Sequence, residues 1–165
     1  MKEFSSFESF ALHLAKMAER VVLEQRRALT AAAIVVEKQA KAEIGTYQPA
    51  VGPFNAWAPL SQATMDDRVS SGFSPNDPLR RTGEMADSIT HDVVGTTAYV
   101  GSESEILLYQ DQGTPTIPPR PVLGPALITK EKRVLELVGA HTVFAMLEGT
   151  GLTPLLNLAK SDETA

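Results

Sequence analysis

Apolar side chains recur along the first quarter of the chain at intervals that a helix gathers onto one side. Phe7, Leu14, Val21, Ala28 and Val35 stand seven apart, and Phe10, Ala11, Met17, Ala18 and Ala32 widen the stripe. Lys16, Glu19, Arg20, Arg26, Arg27, Glu37 and Lys41 largely take the other positions, and no Gly or Pro interrupts the run. The pattern predicts one helix from Phe7 to about Ile44, capped by Ser5 or Ser6 and stopped by Gly45. Ser6 has Ser9, not Glu, at the capping-box position, so that signature is partial. About 38 residues at 1.5 Å each make a rod of roughly 57 Å, longer than a small domain is wide. Part of its stripe is therefore expected to meet another element or another subunit; the alternative is a helix packed wholly within its own domain. Glu24 and Lys38 break the heptad seam, which argues against an independent coiled coil.

From Thr46 to Arg81 the pattern changes. Pro49, Pro53, Pro59, Pro75 and Pro78, with Gly52 and Gly72, prevent a long regular element. A short helix is expected after Pro59 with Ser61 as its cap. A connection this long is usually functional or mobile. Phe54 and Trp57, the only Trp, lie in it, either pinning the loop to the core or anchoring a partner. Residues 82–88 suggest one or two helical turns. Ile89–Val94 and Thr97–Gly101 flank Gly95-Thr96, a hairpin signal. Ser102 and Glu105 form a potential capping box for a helix that carries Ile106, Leu107, Leu108 and Tyr109 and ends at Gly113. Pro115, Pro118, Pro119 and Pro121 impose extended geometry, and Arg120–Leu123 is expected as a short strand. Pro125 suits the first turn of a last helix through Leu127, Val134, Leu137 and Val138 to Leu147, closed by Gly149 and Gly151. The expectation is a single α+β domain over 1–165. It has a long N-terminal helix (1–45), an extended loop (46–81), a core of small antiparallel sheet and helices (82–148) and a C-terminal tail (149–165).

Composition narrows the function. Of 165 residues, 43% are hydrophobic, enough for a real core. Fifteen basic residues against 20 acidic give a net charge of −5, unsuited to a non-specific grip on a phosphate backbone. With no cysteine, disulfides, thiolate nucleophiles and Cys-ligated metal sites are excluded. The N-terminus does not resemble a secretory signal, and no apolar run approaches the roughly 18 residues of a membrane span.

Candidate chemistry is sparse. His13, His91 and His141 fall in three different elements; His91 and Asp92 are neighbours on a strand and face opposite sides. Asp66-Asp67 diverge on a helix surface. There is no nucleophile elbow and no phosphate loop. Arg80-Arg81 before Thr82-Gly83 can bind an anion at a helix start, but ion pairing with an acidic surface is the simpler role. No cofactor and no enzymatic activity are expected.

Three segments carry a resemblance. They are Trp57-Ala58-Pro59-Leu60-Ser61 with Thr64; Pro78-Leu79-Arg80-Arg81-Thr82-Gly83-Glu84-Met85-Ala86-Asp87-Ser88-Ile89; and Tyr109-Gln110-Asp111-Gln112-Gly113-Thr114 leading to Ile117-Pro118-Pro119-Arg120-Pro121-Val122-Leu123. With Val100-Gly101-Ser102 between them, their order resembles the virion-morphogenesis and tail-completion proteins of tailed bacteriophages, over about residues 57 to 127. Met85 stands where Leu is usual and Val122 where Phe is common. The resemblance implies an α+β domain that joins a homo-oligomeric, commonly hexameric ring at the head-proximal end of the tail. Its partners would be the tail tube protein and the head connector, with no membrane and no sequence-specific nucleic acid. It would reside in the virion tail or neck, and in the host cytoplasm during assembly. Interface candidates are Trp57, Phe54, Arg120, Pro118, Pro119 and Tyr109, with Arg120 as a structural or interface ion-pair donor. The alternatives are a non-viral intracellular protein-binding module and an enzyme with an unrecognised site.

Overall fold

A computed structural model of the chain describes residues 4–147. The first helix, α1, runs Phe7–Glu43. Ser6 and Ser9 exchange side chain-to-backbone hydrogen bonds at 3.1 and 3.2 Å, so a serine hydroxyl completes the capping box in place of Glu. At the other end, Gly45 N–H donates to Pro78 O at 2.9 Å.

The buried positions of α1 are Glu24, Ala28, Ala32, Ala33, Val36, Ala40 and Glu43, mostly four apart rather than seven. This is the row that a straight helix offers to a neighbour packed along it. The neighbour is α5, Leu123–Leu147, which runs antiparallel: Ala126 joins the cluster around Val36, Ala40 and Ile44, and His141 reaches Glu24. Alanines at 28, 32 and 40 let the two backbones come close. The first half of the heptad is not core. Phe7 is 85% exposed, and Phe10 and Leu14 are also exposed; the buried positions of α1 begin at Glu24. Glu24, expected to break the seam, lies within it. It is held there by Arg27 and by His141 Nδ1 at 2.9 Å.

Residues Gln62–Ser70 form α2, capped by Ser61, and Glu84–Asp87 form the single turn α3. The hairpin is as expected: β1, Ile89–Val94, pairs antiparallel with β2, Thr97–Ser102, from Ile89↔Ser102 to Val94↔Thr97. Gly95 at φ +61° gives the turn the positive φ that a two-residue hairpin requires at its first central position. Ile89 is fully buried and His91, on the same face, meets Glu37 of α1. The sheet thus lies on α1.

Two local expectations are corrected. Helix α4, Glu105–Gln112, starts at Ser104, and the Ser102–Glu105 box does not form. Ser102 Oγ instead accepts from Ser104 N–H at 2.9 Å and bonds Ser88 Oγ at 2.7 Å, which ties the strand end to α3. Arg120–Leu123 makes no strand. Arg120 N–H donates to Gln110 O, and the Asp111 carboxylate accepts from Val122 and Leu123 N–H, so α4 caps the start of α5. Gly149, Gly151 and the tail 149–165 lie outside the described residues.

One core unites these elements: Val36, Ala40, Ile44, Trp57, Ile89, Leu107, Val122 and Ala126. The fold is α+β, with a two-stranded antiparallel sheet and five helices among the described residues. No described helix is long and apolar enough to cross a membrane.

Filling the α1–α5 seam should be costly. Ala40→Leu forces a larger side chain into a fully buried position and is expected to lose about 1–3 kcal/mol, read as a lower Tm by circular dichroism.

Stability should also depend on acid. Burial pushes the Glu24 carboxyl up, but hydrogen bonds from His141 and Arg27, with their charges, leave it below its usual value of 4.5. Glu37 is lowered by Lys41 and His91, against a smaller effect of burial. A depressed carboxylate contributes stability above its unfolded value and loses it as pH falls through the folded one. Glu43 acts the other way: burial raises it, so its share is lost as pH rises. Urea unfolding from pH 7 down to pH 3 should therefore show the advantage of the wild type over Glu24→Gln and Glu37→Gln shrinking as pH falls below 4.5.

Candidate functional site

Three stretches between Pro59 and Arg120 line a groove of about 960 Å³. One wall comes from Pro59–Leu60–Ser61 and, on α2, Thr64 and Arg68. A second comes from Leu79 through Met85 to Ser88. The third comes from Ser104, Ile106 and Gln110 of the α4 region with Thr116–Pro118 and Arg120.

Two buried guanidiniums hold these walls together. Arg68 donates from Nε to Ser74 O at 2.7 Å and from Nη2 to Arg80 O, fastening α2 to the following loop. Arg120 donates from Nε and Nη2 to Ala58 O, at 3.2 and 3.0 Å, and from Nη2 to Pro59 O at 3.3 Å. Burial lowers the Arg120 pKa, the nearby Tyr47 opposing that only in part. Among the described residues neither arginine meets a carboxylate: within the subunit Arg120 has the structural role expected of it, but as a clamp on carbonyls and not in an ion pair. The ion pair of this region is Arg81–Asp67 at 2.7 Å, with Arg81 also 5.1 Å from the Phe73 ring centroid. That is the simpler of the two roles foreseen for Arg80-Arg81. Leu79 holds φ +62°, a left-handed conformation that is strained in a non-glycine residue, at the bend that brings Arg80 and Arg81 round to α2.

The sequence-derived candidates separate into two groups. Trp57 is interior, 5% exposed, and its Nε1–H donates to Pro121 O at 2.9 Å. It pins the loop to the core rather than facing a partner. Phe54 is half-buried and packs on Gly124, where a Cβ would lie 2.3 Å from its ring. With Arg120 these are internal fasteners. Tyr109, Pro118 and Pro119 are exposed, and of these Pro118 lines the groove. The bend that presents them needs Gly113: a Cβ there would stand 2.9 Å from Pro119 N and 3.0 Å from Ile117 O.

Several groove residues went unnoticed in the sequence. Arg68 reads as an ordinary surface residue of a polar helix, and Ile106 as core. Gln110 carries a buried Oε1 without a hydrogen-bond partner, which no sequence pattern signals. The histidines are engaged elsewhere: His13 against Phe4, His91 with Glu37, His141 with Glu24. The described residues contain no group of three side chains placed to hold a metal ion.

No family model matches the chain, and neither a curated protein nor a solved structure matches it.

Trp57, as the single Trp, reports on this region. Arg120→Ala leaves the Ala58 and Pro59 carbonyls without their donor and should cost about 1–3 kcal/mol, with a red-shifted Trp57 emission as the loop loosens.

Proposed function

We propose that the chain is a structural virion-assembly protein that acts in tail completion or head–tail joining, as a ring at the head-proximal end of a phage tail. The observation that carries this reading is a convergence. The three segments that resemble the tail-completion family are separated along the chain, yet each supplies a wall of the same groove. A second surface supports it. Among the described residues the first half of α1 exposes Phe7, Phe10, Leu12 and Leu14, a concentration of large apolar side chains of the kind interaction sites carry. Gly45 at the far end of α1 stands against Arg80, so the groove and the apolar half lie near opposite ends of a 37-residue helix. A closed ring needs two such different surfaces on each subunit, one facing each neighbour.

The test is electron microscopy of particles assembled without this protein. Unjoined heads and tails, or tails of uncontrolled length, are expected; normal infectious particles would remove the reading.

A further inference from the structure

We propose that the outer edge of β2 pairs with the same edge of a second copy of this chain, antiparallel and centred on Val100, so that two hairpins join into one sheet. The contact is separate from the surfaces offered above for the ring, since no residue of β2 lines the groove or belongs to α1.

The hairpin register fixes which backbone groups point outward. Gly95-Thr96 closes it in two residues, so Val94↔Thr97 is a hydrogen-bonded pair, and the alternation continues through Asp92↔Tyr99 and Thr90↔Gly101. Ala98, Val100 and Ser102 therefore turn N–H and C=O away from β1, as Ile89, His91 and Val93 turn theirs away from β2. The two edges are treated differently. On β1 the outward Val93 N–H is taken by the Asp92 carboxylate at 2.7 Å, and that exposed acid is the kind of charge that keeps edge strands from pairing. On β2 no such device stands. Thr97–Ser102 holds no charge and no Pro, and its pairing with β1 is free of bulges. Among the described residues no backbone group bonds its outward row, and α1 lies more over β1 than over β2.

The sequence of the strand selects itself as the partner. A two-fold axis at Val100 sets Val100 opposite the partner's Val100 and Ala98 opposite the partner's Ser102, making about six backbone hydrogen bonds; centring on Tyr99 aligns fewer pairs. Val100 packs against the core on the α1 side, and two β-branched side chains meet there. On the outer face Tyr99, 58% exposed, comes opposite the partner's Gly101, twice by symmetry. Nothing stands within 4 Å of where a Gly101 Cβ would be, so the ring has room to lie across the glycine, an arrangement that stabilises strand pairs containing glycine. No like charges meet in this pairing, whereas β1 edges joined the same way would bring two Asp92 carboxylates onto one face.

The test uses the full-length chain, whose lack of cysteine makes the register directly readable. Tyr99→Cys and Gly101→Cys chains, mixed and oxidised, should give a disulfide-linked dimer, and each chain alone far less, because only positions 99 and 101 stand opposite one another. By light scattering the wild type should dimerise with rising concentration. Tyr99→Lys alters an exposed side chain, should keep the circular dichroism of the wild type, and should weaken dimerisation roughly tenfold or more. A wild type that stays monomeric, a mixture that does not cross-link, or single variants that cross-link as fast as the mixture overturns the proposal. A ring that forms unaltered in Tyr99→Lys, without cross-linking in the mixture, also overturns it and leaves the assembly reading standing. Cross-linked dimers that never enter a ring support it and count against that reading.

Discussion

The contact between α1 and α5 is the joint on which the molecule is built. It is made by small side chains on α1, at 28, 32 and 40, and closed at one end by the Glu24 cluster and at the other by Ile44 and Trp57. Everything else is laid against it. The hairpin rests on α1 through Ile89 and His91, and the long loop is fixed to the start of α5 by Trp57 bonding Pro121 and Phe54 pressing on Gly124. Because the buried positions of α1 begin at Glu24, the same helix serves as scaffold over its second half and keeps large apolar side chains exposed, among the described residues, over its first.

Buried charge is used here to hold backbone in place more than to pair with charge. Arg68 and Arg120 each gather carbonyls from segments that have no regular structure to satisfy them, which replaces the ladder that the prolines forbid. The arrangement leaves positive charge at the groove walls without neutralising it. The property needed to organise the loops is therefore also the property that leaves the groove walls basic.

Most of the elements were legible in the sequence, for local reasons. The hairpin rested on β-rich runs around Gly95, α2 on Ser61 after Pro59, and the end of α4 on Gly113. What was not legible depended on partners distant in the chain. Nothing near Glu24 says that His141, 117 residues later, makes it a seam residue. The heptad of α1 was real as a pattern, but which half is covered depends on the length and position of α5. Arg120–Leu123 looked extended because of its prolines, and extended it is; whether such a segment pairs is decided by the Asp111 carboxylate, which takes its amides instead. The groove escaped because its walls come from three stretches, and burial of Arg68 is a property of the loop that folds over it.

Asp111 has one more effect. It belongs to α4, one residue from the groove-lining Gln110, and its carboxylate grips the amides at the root of α5. The wall and the long helix therefore share a pivot. A tilt of about 5° there would swing the tip of a rod of roughly 37 Å by about 3 Å, the lever arithmetic by which packed helices turn a small local displacement into a larger remote one. The groove wall at one end of the subunit is thereby mechanically geared to the far end of its longest C-terminal element.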